Sequence, residues 1–290
     1  MRILILGATG MLGYSLFSNL REINGFDVFG TVRNIKGKEA FFEEALSSLI
    51  FDVDVTDTVG IDRAIASVKP DVVINCIGLI KQHDVSKQHV NAVEINALLP
   101  HQIARLCDQY SAKLIHFSTD CVFSGTKGLY TEESTPDATD LYGKSKCLGE
   151  VDYPPHLTLR TSIIGHELNS SVSLIDWFLS QTGEVKGFSK AIFSGLPTCY
   201  VAKLLAENIL KSPELSGLYH LSVSPIDKYT LLKQVAETYR KETVINEFTD
   251  FEIDRSLNSQ KLTRKLGLVL APWPELIEYM HKDYVNRYQA

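Results

Sequence analysis

The chain has 290 residues, 44% of them hydrophobic and 22% charged, and a formal charge of −6. This is the profile of a globular protein with a sizeable core, and the acidic balance argues against nucleic acid or an anionic membrane as the main partner. Five scattered cysteines (Cys76, Cys107, Cys121, Cys147, Cys199) with no Cys-x-x-Cys pair argue against a zinc site or a disulfide framework and fit a reducing, cytoplasmic compartment.

The apolar run Ile3 to Leu6 reads as a buried parallel strand, and Met1 to Gly7 is too short an apolar stretch for a signal peptide. No run approaches membrane-spanning length. The first strand leads into Gly7-Ala-Thr9-Gly10-Met11-Leu12-Gly13 and then an amphipathic segment to about Glu22. Glycines at such a turn let backbone N–H groups approach a pyrophosphate at a helix N-terminus, so these residues are the first candidates for binding a dinucleotide. Asp27 to Arg33 reads as the second strand. Where a cofactor with a free ribose 2′-OH usually meets an acidic residue, Val32 and Arg33 stand instead. A guanidinium suits a 2′-phosphate, so NADPH is favoured, with NADH the second candidate. Leu49 to Val53 reads as a third strand, with Asp54 and Val55 beside the adenine and Asp57 capping the next helix. A fourth strand spans Pro70 to Gly78, and its end, Asn75-Cys76-Ile77-Gly78, falls where an open parallel sheet has its ligand crevice. Asn96, on the following helix, reads as a buried structural asparagine that holds strands together by hydrogen bonds.

A fifth strand from Lys113 ends in the hydroxyls Ser118 and Thr119, either of which is placed to bond a substrate oxygen. Thr139 or Asp140 then caps a helix carrying Tyr142-Gly-Lys-Ser-Lys146. Tyr142 and Lys146 share one helix face, and an ammonium there is expected to draw the phenol pKa down from about 10, making Tyr142 the proton donor or acceptor for a carbonyl/alcohol pair. The sixth strand is read at Leu157 to Ile164. Beyond it, Ser173 to Leu179 reads as a core helix and Lys186 to Lys190 as a basic loop that either meets a diphosphate or is simply solvated. Val201 to Leu210 reads as a helix, Gly217 to Leu221 as a strand returning to the sheet, and Tyr229 to Tyr239 and Pro274 to Tyr288 as helices of a smaller lobe. His220 reads as a core or crevice-edge histidine.

The alternation predicts an α/β protein: a Rossmann-like, doubly wound parallel sheet with a smaller, mixed C-terminal substrate lobe. The expected division is a dinucleotide-binding domain over 1–165, joined by a returning strand and helix at about 195–221, and a substrate lobe over 166–290 interleaved with it.

The order of these motifs resembles that of the extended short-chain dehydrogenases/reductases. Ser118-Thr-Asp-Cys-Val-Phe-Ser-Gly125, Tyr142-Gly-Lys-Ser-Lys146, Arg160-Thr-Ser162 and Gly195-Leu-Pro-Thr198 look most like the dTDP-4-dehydrorhamnose reductase branch, over roughly residues 1–220. Cys121 departs from that branch, which has tyrosine there. The resemblance implies reduction of the 4-keto group of a nucleotide-linked deoxysugar, in deoxysugar or cell-surface polysaccharide synthesis. Tyr142 would give the proton, Lys146 would hold the nicotinamide ribose, and Thr119 would take the hydroxyl role with Ser118 beside it. Related 4,6-dehydratases have Thr-Asp-Glu at this strand end. Here Cys121 replaces the glutamate base, which weighs against dehydration. A homodimer is among the assemblies the branch implies; no residue is assigned to a metal. Two rival functions are an epimerase that retains NAD, and a non-catalytic NADP-binding regulatory subunit like that of methionine adenosyltransferase.

Overall fold

The structure, a computed structural model, describes residues 1–79 and 88–289. Its centre is a seven-stranded, all-parallel sheet built from β1 (Arg2–Leu6), β2 (Asp27–Thr31), β3 (Leu49–Ile50), β4 (Val72–Asn75), β5 (Lys113–Thr119), β6 (Leu157–Thr161) and β11 (Gly217–His220). The strand order β11-β6-β5-β4-β1-β2-β3 reverses direction at β1 and β4, which places a crevice beyond their C-terminal ends. All seven strands fall where the sequence predicts them, but several are shorter. β2 stops at Thr31 and β3 at Ile50, short of the expected Arg33 and Val53. β4 covers only Val72–Asn75 of the expected Pro70–Gly78. The expected sixth strand breaks after Thr161, and Ile163–Ile164 joins another sheet.

Alternation along β1 sends side chains to two cores. Ile3 and Ile5 join α1 (Met11–Arg21), through Leu16, Phe17 and Leu20, and α7 (Thr198–Leu204). Leu4 and Leu6 join α2 (Thr58–Val68), through Ile61 and Ile65, and α4 (Leu99–Gln109), through Ile103 and Ala104. Ile3 to Leu6 is apolar on every residue because both faces of the sheet are covered. Truncating one such side chain to alanine would cost about 2–5 kcal/mol.

Local chemistry sets the helix ends as expected. Asp57 accepts from the Val59 N–H at 2.9 Å and starts α2. Asp140, rather than Thr139, accepts from the Gly143 N–H at 2.9 Å and starts α5 (Leu141–Leu148), the helix of Tyr142 and Lys146. Between a short α3 (His89–Ala92) and α4, the segment Val93–Leu98 widens into a π-helical turn that carries Asn96.

The C-terminal part contributes α6 (Leu174–Ser180), α8 (Lys228–Thr238), α9 (Gln260–Leu266) and α10 (Trp273–Arg287) with small sheets. β7 (Ile163–Ile164) pairs with β10 (Leu196–Pro197). β9 (Ala191–Phe193) lies between β12 (Ile226–Asp227) and β14 (Ile253–Asp254), and β8 (Glu184–Phe188) pairs with β13 (Val244–Phe248). Lys186 is therefore on a strand, correcting the expected basic loop. Its neighbours Val185 and Gly187 turn inward while Lys186 faces out, with its ammonium 4.3 Å from the Phe248 ring centroid.

Candidate active site

The crevice at the switch of strand order is bordered on one side by the glycine turn between β1 and α1. β1 runs into Gly7, whose φ of +85° suits glycine. A side chain at Gly13 would collide with the Gly7 carbonyl, so Gly13 is required for helix α1 to pack against the turn. Gly10 differs: an added Cβ meets nothing closer than the Gly7 oxygen at 3.6 Å, and its φ of −83° suits any residue. The fold alone does not demand glycine there, whereas a pyrophosphate lying on the first N–H groups of α1 would. Leu12 is buried in the core, so only its backbone is available to a ligand, while Thr9 and Met11 are half-buried at the surface of the turn.

Arg33 is exposed just beyond β2, beside two charged groups that it influences. Asp54 accepts from the Thr56 N–H at 2.9 Å and hydroxyl at 2.8 Å, bonds that hold its carboxyl low with a smaller contribution from Arg33. Lys38 is the second neighbour and was not singled out in the sequence. Its Nζ donates to the Thr9 carbonyl at 3.3 Å, across the glycine turn. Burial lowers its pKa, with Glu167 opposing and Arg33 adding to the fall. Arg33 and Lys38 thus put two cations on one flank of the glycine turn. Val55 packs against the α2/α4 core.

The segment Cys76–Leu79 passes over the turn, with Ile77 against Gly7. Two asparagines hold this strap. Asn75 Oδ1 accepts from the Ile77 N–H at 3.0 Å. Asn96 Oδ1 accepts from the Leu79 N–H at 2.8 Å, and its Nδ2 donates to the Leu79 carbonyl at 3.2 Å and to Ser145 Oγ at 3.3 Å. Asn96 therefore joins the strap to α5, not strand to strand. Gly78 faces Lys146, whose Nζ would lie 3.8 Å from an added Cβ.

Lys146 is buried, donates to the Phe117 carbonyl at 2.7 Å, and has its pKa lowered to about 8 by desolvation, with Glu150 opposing. Tyr142 is half-buried on the same helix. Its expected phenolate character is not found. Desolvation pushes the phenol pKa up, and Cys121, Asp120 and Asp140 add to the rise, while a bond with the Thr119 hydroxyl opposes it. The phenol keeps its proton. Thr119 Oγ1 donates to Asp120 Oδ1 at 3.1 Å and accepts from the Cys121 N–H at 3.1 Å. Burial raises the Asp120 carboxyl and holds the Cys121 thiol at about 12.

Strand alternation separates the two hydroxyls. Thr119 faces Tyr142, whereas Ser118 donates to Glu150 Oε1 at 2.6 Å, so its side chain is turned away from the tyrosine. Glu150 in turn takes a forked pair from Arg160, at 2.7 and 2.6 Å. Arg160 also lies 5.3 Å over the Phe123 ring, and His220 is buried beside it with Nδ1 3.0 Å from the Tyr130 carbonyl. The arginine of Arg160-Thr-Ser is thus a buried brace under the loop after β5. Other motif glycines serve close packing. A side chain at Gly143 would strike the Cys121 carbonyl, and one at Gly195 would come 2.5 Å from the Ser162 carbonyl.

This combination defines a class: a Rossmann-like α/β protein with a glycine-turn cradle and a Thr/Tyr/Lys cluster facing one crevice, as in extended short-chain dehydrogenases/reductases. Within it, the chain belongs to the RmlD substrate binding domain family, whose model matches residues 1–285. It is 25% identical over 304 residues to the dTDP-4-dehydrorhamnose reductase of Salmonella typhimurium, covering 94% of each chain. It is 26% identical over 261 residues to methionine adenosyltransferase 2 subunit beta of Mus musculus, covering 82% of this chain and 72% of the relative. A crystal structure of dTDP-4-dehydrorhamnose reductase from Bacillus anthracis in complex with NADP superposes with a TM-score of 0.78 at 22% identity, covering 97% of this chain and 99% of that one. No helix among the described residues is long and apolar enough to cross a membrane.

Proposed function

We propose that the protein is an NADPH-dependent reductase of the 4-keto group of a nucleotide-linked deoxysugar. The observation that carries this reading is the convergence of Thr119, Tyr142 and Lys146 at the crevice that also holds the glycine turn. Gly7, Gly10, Gly13 and the first N–H groups of α1 would hold the pyrophosphate of the dinucleotide. Arg33 and Lys38 would meet the 2′-phosphate, and Cys76–Gly78 and Lys146 would line the nicotinamide side. The bound dinucleotide supplies a hydride.

The chain's own residues supply the proton and its control. Reduction turns a carbonyl oxygen into an alkoxide that needs a proton, and Tyr142 holds one through neutral pH because its phenol is desolvated. Thr119, whose hydroxyl faces Tyr142, would orient the phenol toward the substrate oxygen. Lys146, pinned on the Phe117 carbonyl, puts a positive charge on the same helix face, where it stabilises the phenolate left after transfer. Family membership and the relative covering 94% of the chain support the reductase reading. The assay is NADPH absorbance decay with a panel of nucleotide-linked 4-keto-6-deoxysugars, run in parallel with NADH. Decay with one member and a preference for NADPH is the expected outcome. Decay with none, despite cofactor binding, overturns the reading.

The likeness to methionine adenosyltransferase 2 subunit beta favours a second reading, a nucleotide-binding subunit that assembles with another enzyme. Recovery of one stoichiometric partner enzyme in a pull-down, with no turnover of any keto sugar, would establish it in place of the first.

A further inference from the structure

The segment Ile253–Asn258, near the end of the chain, is stitched to the loop that follows β5. The Asp254 N–H donates to the Gly125 carbonyl at 2.8 Å, the Tyr130 N–H to the Ser256 carbonyl at 2.9 Å, and the Asn258 N–H to the Tyr130 carbonyl at 2.7 Å. Ser256 Oγ accepts from the Leu129 N–H at 2.8 Å. Gly125 makes this approach feasible, since a side chain there would strike Ile253 and come within 3.0 Å of the Arg255 stem. The stitching delivers Arg255 to the catalytic cluster. Its Nε donates to the Phe123 carbonyl at 3.0 Å, and its Nη1 lies 3.7 Å from Cys121 Sγ, on the loop that faces Tyr142. Among the described residues no carboxylate lies within ion-pair distance of this guanidinium. A second cation stands near it. Lys228, at the start of α8, acts with Arg255 on the buried Asp120. Lys228 also lines a cleft of about 520 Å³ with Lys186, Phe188, Phe248, Phe251 and the carboxylate of Asp250. Nη2 of Arg255 has no hydrogen-bond partner among the described residues, which leaves it available to an anion.

We propose that Arg255 is the substrate-anchoring residue of this site, gripping a phosphate oxygen of a diphosphate-linked sugar with Lys228 as its partner. This rests on the reductase reading above for the identity of the sugar, but not for the anion. The planar fork of Arg255, held at Nε by Phe123 and at Nη1 by Cys121, leaves Nη2 for a contact with phosphate. Arg255 is a positioning residue: it holds the substrate while Tyr142 and Lys146 handle the proton.

The test is calorimetric binding of inorganic pyrophosphate to protein saturated with NADP⁺, which fills the other phosphate site. Wild-type protein is expected to bind, and Arg255→Gln to bind at least about tenfold more weakly, as loss of a charged hydrogen bond implies. Arg255→Lys should fall between them. Lys282→Gln, altering an exposed residue of α10 that no part of the site uses, should bind as wild type does. Where a substrate is known, Arg255→Gln should raise KM about tenfold with kcat changed far less. Equal pyrophosphate affinity in wild type and Arg255→Gln overturns the proposal, as does absence of binding to wild type. If Arg255→Gln does not fold, Arg255→Lys and Lys228→Gln carry the comparison, and wild-type affinity in both overturns it equally. Failure of the reductase reading is separately visible, as pyrophosphate binding that depends on Arg255 without turnover of any keto sugar.

Discussion

A half-buried phenol flanked by Asp120 and Cys121 holds its proton, so replacing it with a ring of the same shape removes a donor and little else. Tyr142→Phe is expected to lower kcat by about 10²–10⁴-fold, the usual worth of a positioned acid, while the Kd for NADPH stays within about twofold. Stopped-flow turnover and a fluorescence titration of NADPH check the two halves, and near-wild-type turnover would remove Tyr142 from the mechanism. The glycine turn allows a sharper separation. Gly13→Ala should fail to fold or lose several degrees of Tm, because its methyl meets the Gly7 backbone. Gly10→Ala should keep its Tm and lose cofactor affinity, because only a ligand needs that space. Unchanged NADPH binding in a folded Gly10→Ala protein would show that the pyrophosphate lies elsewhere.

Among the elements, the π-helical turn Val93–Leu98 places one side chain to satisfy both backbone groups of Leu79 and to reach Ser145 in α5. Asn96→Ala should leave those groups without their partner, costing about 1–3 kcal/mol and loosening the strap over the cofactor side. Chemical denaturation and NADPH titration should both register the change, and a loss of stability with unaltered affinity would confine Asn96 to the scaffold. The central strands were legible because burial on both faces leaves unmistakable apolar runs such as Ile3 to Leu6. The glycine turn and the Tyr142/Lys146 helix were legible because their chemistry is local. Lys186 was misread because its charge outweighed the alternation of Val185 and Gly187 around it. Tyr142 was assigned the wrong direction of pKa shift because spacing shows the lysine but not the burial. Lys38 and Arg255 went unnoticed because no periodicity or motif spacing marks them. Each is placed by contacts to distant chain, Thr9 for one and Cys121 and Phe123 for the other.

Across the whole molecule, three buried histidines set the acid limit. Desolvation holds His116 well below its ordinary value, lowers His220 to about 3 with help from Arg160, and lowers His156 against the pull of Asp108. All three are neutral when folded and free to charge near pH 6.5 when unfolded. Their depressed pKa values mean that unfolding takes up protons, so stability falls as pH drops below about 6.5, by up to about 1.4 kcal/mol per unit for each histidine. For His220 this loss continues toward pH 3. The midpoint of urea unfolding should therefore drop steeply between pH 7 and 5, and a flat profile would mean that the imidazoles are not held neutral. His220→Asn should make the slope shallower by about one histidine's share.

The stitching of Ile253–Asn258 into the loop after β5 also has a meaning in time. Synthesis proceeds from the N-terminus, so a nascent chain that has emerged as far as His220 already contains all seven strands of the central sheet, the glycine turn, Tyr142 and Lys146. It does not yet contain Arg255 or the backbone partners of Gly125 and Tyr130. The glycine turn and the Tyr142/Lys146 helix are thus present in the growing polypeptide before Arg255 is. The loop after β5 therefore gains the backbone partners of Gly125 and Tyr130 only once residues 253–258 have been made, after every strand of the central sheet.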